Sequence, residues 1–414
     1  MRIEVINTGT ELLLGQVVNT HVAYLGEELL PLGLRIQRQT CIPDGDPISE
    51  MLAEAFPRAD VLLVTGGLGP TSDDVTREVI AEMLGLDMEI DEGIVDQIRR
   101  IFKRFGREMP ETNKRQAMVP IGSIVLDNPN GTAPGLYFPA EEGRNPHIFV
   151  MPGPPRELKP MFENLVKPRL TEMVATESGK VPTYRNFRII GVGESHIAEV
   201  IEEPLRQLED VEIGYCARLG EVDIRVIATP EVLDQAEKLV RGEFEENLIN
   251  CDGRSLEETL VPLLAEKSQW LATAESCTGG FIAHTITNVS GSSSIFRQGY
   301  VTYANEAKME LLGVPEAMLA EHGAVSEPVA RAMAEGCLER SKVDHAVSVT
   351  GIAGPTGGTD EKPVGTVYVG QASINGETWV RHYRFTGDRM SFKQRVTRMA
   401  LELVRRRVLE LEPA

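Results

Sequence analysis

Asp60-Val61-Leu62-Leu63-Val64-Thr65-Gly66-Gly67-Leu68-Gly69-Pro70 is the stretch from which the fold is read. A short run of apolar and β-branched residues breaks into a glycine-rich turn, and a helical pattern over 75–84 follows. That is a strand, a tight turn and a helix. Working outward, the spacing predicts strands over 3–8 and 34–41 and helices over 19–32, 48–56 and 94–105. Asn19 or Thr20 would cap the first helix and Gly33 would stop it. Strands that alternate with helices build a mainly parallel sheet covered on both faces, so the class is α/β.

The rest of the chain falls into two further blocks, giving domains at 1–172, 173–250 and 251–414. The middle block predicts a strand over 186–190 and a helix over 195–208 capped by Ser195. A hairpin of 212–217 and 221–228 turns at Leu219-Gly220, and a helix covers 231–247. That order suits a small open-faced α+β module. The last block predicts helices over 256–266, 280–287, 306–312, 327–341 and 391–410. Strands are expected over 270–274, 299–303, 346–350, 365–374 and 378–385, which make a second α/β unit. Ser326-Glu327-Pro328 reads as a helix start with a capping hydroxyl.

With 42% apolar residues the chain can build real cores, and with 5% aromatics those cores should be aliphatic. The net charge of −20 argues against bulk nucleic-acid binding, which requires a basic face. Arg405-Arg406-Arg407 ends the last helix and is expected to complement its C-terminal dipole. Cys41, Cys216, Cys251, Cys277 and Cys337 have no paired spacing, so neither disulfides nor zinc are expected, and a reducing cytoplasm fits. Met1-Arg2-Ile3-Glu4-Val5 enters a strand and does not read as a signal peptide. No apolar run is long enough to span a membrane.

Two constellations carry chemistry. In the first block, Thr65, Gly66 and Gly67 open a loop whose backbone N–H groups could approach an anion at a strand end. Asp73 and Asp74 would repel a bare phosphate, unless a divalent cation bridges carboxylate and phosphate. Asp44, at the end of the neighbouring strand, could join them. Asp73 could equally be a helix cap. The loops Asn128-Pro129-Asn130-Gly131 and Met151-Pro152-Gly153-Pro154-Pro155-Arg156 could form ligand walls, with Arg156 reaching a phosphate. In the last block, Ala274-Glu275-Ser276-Cys277-Thr278-Gly279-Gly280 places two nucleophiles and a carboxylate in a strand-to-helix turn, with free backbone N–H groups expected beside them. Downstream come Ser290-Gly291-Ser292-Ser293-Ser294, Tyr303 and Lys308. A lysine in a first helical turn faces the positive dipole end, which lowers its pKa and suits a general base for a serine hydrolase. Gly351 and Gly354 belong to a loop that could form a nest of donors.

Four motifs together closely resemble the CinA family (competence/damage-inducible proteins): Thr65–Asp74, Met151–Leu158, Ala274–Gly280 and Gly299–Lys308. The resemblance covers essentially the whole chain. It implies a three-layer N-terminal domain of the molybdopterin-binding MoaB/MogA type, associated with metal-dependent ADP-ribose pyrophosphatase activity. It implies a KH-like middle module and a C-terminal nicotinamide-mononucleotide (NMN) deamidase domain. The implied deamidase residues are Ser276, Ser293, Tyr303 and Lys308, without a cofactor. Ser293 is favoured as nucleophile and Ser276 as its orienting partner, although the motif also permits Ser276 as nucleophile. Thr278, Gly279, Gly280, Gly351 and Gly354 would line the substrate. Asp44 and Asp74 would hold the divalent metal. Leu68 stands where the pterin-binding proteins usually have threonine, which weakens a pterin reading. NMN and ADP-ribose are both fragments of NAD, so one chain could recycle both, most simply as a cytoplasmic homodimer. The competing readings are a chain with only one activity retained and the other domain a non-catalytic nucleotide- or pterin-binding module, a cysteine amidase at Cys277 using Glu275 and Lys308, and a non-catalytic protein with molybdopterin in the first domain and the middle module as a nucleic-acid adaptor. The middle block lacks the Gly-x-x-Gly loop with which KH modules clamp nucleic acid.

Overall fold

The computed structural model describes residues 1–45, 47–175 and 183–413. The chain divides into two compact units, Met1–Thr183 and Tyr184–Ala414.

The first unit contains β1 (Ile3–Thr8), β2 (Ile36–Ile42), β3 (Val61–Thr65), β4 (Met88–Ile90), β5 (Met118–Pro120), β6 (Ile124–Leu126), β7 (Gly135–Phe138) and β8 (His147–Met151). Six of these form a sheet in the order β2-β1-β3-β8-β7-β6, with β4 and β5 paired apart from it. The first four run parallel, and β7 and β6 are antiparallel. Alternate residues point to opposite faces, so Ile6, Leu62, Val64 and Ile148 enter one core while Val5, Leu63 and Phe149 enter the other. Both faces are therefore covered by helices, which is why β1 and β3 are buried throughout. The helix expected over 19–32 is His21–Leu29 continued by a 3-10 turn, and Gly33 adopts a left-handed φ of 70°. Thr20 precedes that helix without a side-chain cap. Asn19 Oδ1 instead accepts the His21 N–H at 3.0 Å.

The second unit opens with β9 (Thr183–Ile190), β10 (Glu212–Ala217), β11 (Glu221–Ala228) and β12 (Leu248–Asn250), in the order β10-β11-β9-β12. Helices Glu194–Arg206 and Pro230–Phe244 bury Ile197, Ile201, Leu233 and Val240 against Phe187 and Val226. Ser195 does not cap the first of these, because the cap position is Gly193. The hairpin pairs Glu212 with Ile227 through Ala217 with Val222.

Next come β13 (Leu271–Glu275), β14 (Phe296–Val301), β15 (His345–Gly351), β16 (Thr366–Ser373) and β17 (Trp379–Arg384), in the order β14-β13-β15-β16-β17. The first three are parallel and the last two antiparallel. β14 starts earlier than its sequence suggests. It is an edge strand with exposed Arg297, Gln298 and Gly299, so it carries little apolar alternation. Ser326 precedes helix Glu327–Ser341, but its hydroxyl donates back to Gly323 O at 2.8 Å rather than capping.

Ion pairs within the β9–β12 sheet continue to the last helix. Asp223 accepts both Arg188 (2.7 Å) and Arg218 (2.9 Å). Glu221 lies 3.4 Å from Arg398, on the last helix Arg389–Val408, and Arg398 also pairs with Glu257. The basic tract does more than complement a helix end. Arg405 donates to Glu246 O (2.6 Å) and Leu248 O (3.3 Å), and Arg407 lies over the Trp379 ring.

His345, on β15, is 4% exposed. Burial holds its imidazole down to about 4, and Gln269 Oε1 lies 3.1 Å from its Nε2. An unfolded histidine binds its proton near pH 6.5. Between that value and about 4 the unfolded chain therefore carries the extra proton, so stability falls as pH falls through this window. His345→Gln should flatten this loss. Urea midpoints of the second unit, followed from pH 7 to 4, would read it, and parallel curves for both proteins would refute it. Among the described residues no helix is long and apolar enough to cross a membrane.

Candidate functional site

The carboxyl ends of β13, β14 and β15 converge in the second unit, where ligands bind in open α/β sheets. Ser276 follows β13, and its N–H donates to Val349 O of β15 at 3.0 Å. Thr302 and Tyr303 follow β14 and lead into helix Asn305–Leu312, which carries Lys308 in its first turn. Lys308 is 1% exposed, and burial lowers the pKa of its amine. Its Nζ lies 2.9 Å from Thr302 O, 3.3 Å from Tyr303 O and 3.3 Å from Ser276 Oγ. A neutral amine has two N–H groups and one lone pair. The two carbonyls can take the hydrogens, which leaves the lone pair for the Ser276 hydroxyl.

Ser293 does not join this group within one chain. It sits in a 3-10 turn just before β14, where Ile295 O accepts Leu271 N and Phe296 pairs with Leu271. Ser276 follows Glu275, which pairs with Val301 at the other end of the same two strands. About five strand residues, roughly 15 Å, separate the two serines. The motif contains both, and strand register divides them.

The turn at Ser276 is clamped from below. The Glu275 carboxylate is 1% exposed and accepts the N–H groups of Gly280 (2.9 Å), Ile282 (3.0 Å) and Ala283 (2.8 Å). Gly279 N–H donates to Ser276 O at 3.1 Å. The expected donors Gly279 and Gly280 are thus engaged internally, and their left-handed φ values, 61° and 93°, shape the turn. The N–H groups of Cys277 and Thr278 donate to no backbone carbonyl among the described residues and lie against the Cys277 sulfur. Thr278 is fully buried and its hydroxyl lacks a partner. Cys277 is buried, and burial pushes its thiol up to about 12. A thiol so firmly protonated is a poor nucleophile, and Glu275 points away to backbone donors. Both observations count against the cysteine-amidase reading.

On β15, Gly351 is explained by close packing, since a Cβ there would lie 2.7 Å from Thr366 O. Gly354 presents its carbonyl to Arg389 Nη1 at 2.7 Å, and Arg389 Nη2 donates to the Tyr303 hydroxyl at 2.9 Å. Tyr303 is 62% exposed, so its phenol stands at the rim of the site. Sequence reasoning missed Arg389. The available signal was an arginine directly after the helix cap Asp388, a disfavoured place for a cation.

In the first unit, Asp44, Gly66, Gly67, Asp73 and Asp74 share a cleft of about 370 Å³ with Glu11, Gln116 and Glu157. Asp44 Oδ2 accepts Thr10 N at 3.0 Å and Thr10 Oγ1 at 3.3 Å. Asp74 Oδ2 accepts Thr71 N at 3.1 Å and also the Thr71 hydroxyl. The Asp73 carboxyl is held below its usual range by the Thr71 hydrogen bond and does not cap the following helix, whose cap position is Val75. Thr65 does not line the cleft. Its hydroxyl accepts Asn7 Nδ2 at 2.8 Å and meets His21 Nδ1 at 3.0 Å inside the fold. Asn130 lines a neighbouring cavity with Asp127 and Asn128. Gly131 abuts Glu157, whose carboxylate leaves no room for a Cβ. Arg156 is exposed and lies 3.7 Å from Glu157. Among the described residues no three His, Cys, Asp or Glu side chains form a metal cluster. Asp44 and Asp74 each keep one carboxylate oxygen without a hydrogen bond among the described residues, which fits a cation completed by ligand phosphates and water rather than one caged by protein.

The geometry defines an α/β protein with two separate strand-end sites. Comparison with known proteins gives its family. Residues 4–172 match the model of a probable molybdopterin binding domain, 184–248 the damage-inducible protein CinA KH domain, and 253–408 the CinA C-terminal domain. A CinA-like protein of Akkermansia muciniphila is 49% identical over 97% of this chain and 96% of its own. A putative competence-damage inducible protein of Symbiobacterium thermophilum is 44% identical over 98% of each. A solved competence/damage inducible protein from Agrobacterium tumefaciens is 40% identical over 36% of this chain and 94% of its own, with a TM-score of 0.35. The chain belongs to the CinA family.

Proposed function

We propose that the second unit is a serine amidohydrolase that deamidates NMN to nicotinate mononucleotide and ammonia. The observation that carries this reading is the buried Lys308 amine facing the Ser276 hydroxyl. Neutral Lys308 takes the Ser276 proton as Oγ attacks the carboxamide carbon. The oxyanion forms beside the N–H groups of Cys277 and Thr278, which follow the nucleophile directly and donate to no backbone carbonyl among the described residues. The proton on Lys308 passes to the departing nitrogen, ammonia leaves, and an ester to Ser276 remains. Water, deprotonated by the same amine, hydrolyses that ester and restores the serine. Tyr303 holds Lys308 through its carbonyl and forms the rim with its phenol. The choice of NMN rests on the family resemblance of these motifs.

Ser276→Ala should abolish ammonia release from NMN, while Ser293→Ala should keep it within a few-fold. The opposite outcome would transfer the nucleophile to Ser293 and require that a second chain or a large rearrangement deliver it.

For the first unit we propose ADP-ribose hydrolysis to AMP and ribose 5-phosphate: the acidic cleft supports a cation-assisted reaction, and the choice of ADP-ribose rests on the family resemblance. Asp44 and Asp74 would hold a divalent cation, which when bound polarises phosphoryl oxygens and lowers the pKa of water. Gly66 and Gly67 let the phosphates approach the backbone. The left-handed φ of Gly66, 101°, and the 1.9 Å that would separate a Gly67 Cβ from Thr76 Oγ1 forbid larger residues there.

A further inference from the structure

We propose that Arg115 and Gln116 are positioning residues that hold the Asp74 loop of the first unit in the shape that binds a divalent cation, an inference that rests on the cation-assisted reading of that cleft. Both lie in the 3-10 stretch Glu111–Ala117, which runs directly into β5. The stretch is itself anchored. Ala117 is fully buried, and its carbonyl accepts the Asp91 N–H at 2.9 Å. β4 and β5 pair from Met88 with Pro120 to Ile90 with Met118, so this small sheet serves as its base.

Gln116 is 2% exposed, lines the cleft and uses both ends of its amide. Its Nε2 donates to Leu68 O at 3.3 Å, and its Oε1 accepts Asn113 Nδ2 at 2.9 Å. Arg115 does not line the cleft. Its Nη1 donates to Thr71 O, and its Nε donates to Glu78 Oε1 at 2.9 Å. Arg77, which is fully buried, donates to the same Glu78 oxygen at 3.2 Å and fixes it. Leu68 and Thr71 stand on either side of the segment against which Asp74 rests. Asp74 accepts from Thr71 and leaves no room for a Cβ on Gly69. One anchored segment therefore grips the loop at two carbonyls and sets the direction of the Asp74 carboxylate.

The sign of the effect separates this role from simple charge. A guanidinium near a cation site repels the cation, so its removal on charge grounds alone would tighten metal binding. Loss of a clamp would weaken it. Lysine keeps the charge but lacks the fork that spans Thr71 O and Glu78.

The test titrates the full chain with Mn²⁺ and follows the free-ion electron paramagnetic resonance signal, counting the binding that Asp74→Asn weakens. Arg115→Ala should raise the Kd about 10-fold, the scale for a residue that orients a metal ligand without touching the metal. Arg115→Lys should lose most of the same affinity, and Gln116→Met should shift in the same direction. At saturating metal, ADP-ribose hydrolysis by Arg115→Ala should return to within a few-fold of wild type, which a collapsed cleft would not allow. Unchanged or tighter Mn²⁺ binding by Arg115→Ala would overturn the proposal, as would wild-type affinity in Arg115→Lys. Absence of Asp74-dependent Mn²⁺ binding in the wild type would overturn it together with the cation reading. Mn²⁺ binding without ADP-ribose hydrolysis would remove only the substrate, and the Kd values of the variants would still decide the clamp.

Discussion

Lys308→Ala should cut ammonia release from NMN by about 10²- to 10⁴-fold, the range expected for loss of a general base. The direction follows from the surroundings of the amine. Burial lowers its pKa, so a larger share of Lys308 is neutral at a given pH than in an exposed lysine. Activity should rise with pH along a limb set by this group, at an apparent pKa below 10.5. Stability carries the opposite cost. A lysine whose folded pKa is depressed binds its proton more tightly when unfolded, so below that folded pKa its burial opposes folding. Lys308→Met, which keeps the stem and removes the charge, should therefore be inactive and melt at a higher temperature than wild type. Thermal unfolding at neutral pH beside the activity assay reads both. An inactive variant that is also less stable would mean that the two carbonyl contacts of Lys308 matter more than its charge.

Asp74→Asn should lower ADP-ribose hydrolysis by at least about 100-fold and raise the divalent metal concentration needed for what remains. The substitution is nearly isosteric. It matters that it is, because Asp74 lies against the loop backbone. A Cβ on Gly69 would come within 2.2 Å of Asp74 Oδ2. The amide can still accept from Thr71, so the turn should persist while the charge is lost. Ammonia release from NMN should be unaffected, which separates a local effect from general unfolding. Full metal-dependent turnover by the variant would remove Asp74 from the cation site.

Much of the architecture was legible along the chain, because β1 and β3 are continuously buried and the β10–β11 hairpin announces its own turn. Local patterns of that sort encode their own partners. The site was legible only as a set of motifs. Which serine meets Lys308 depends on the register of β13 against β14, a relation between distant segments that no motif records. Glu275 looks like a catalytic acid in a reactive turn, yet its three backbone partners make it a clamp, and only the left-handed bend at Gly279-Gly280 brings them to it. Thr65 opens the glycine-rich loop by sequence, and its hydroxyl turns inward to Asn7 and His21. Arg389 lies 86 residues from the tyrosine that it contacts.

The arginine–carboxylate web between the β9–β12 sheet and the last helix has a consequence for how the chain can be divided. Arg188, Arg218 and Arg398 balance Asp223, Glu221 and Glu257, the two acids on β11 being buried, and removing one member of such a set strands a charge that its neighbours were neutralising. Arg405 extends the dependence to the carbonyls of Glu246 and Leu248. A cut near residue 250 would thus pass between two recognisable sequence segments and straight through one electrostatic object. The middle segment is a counterweight to the helix that begins with Arg389, and a free-standing copy of the last segment loses Glu221 as a partner of Arg398 and the carbonyls of Glu246 and Leu248 as acceptors for Arg405.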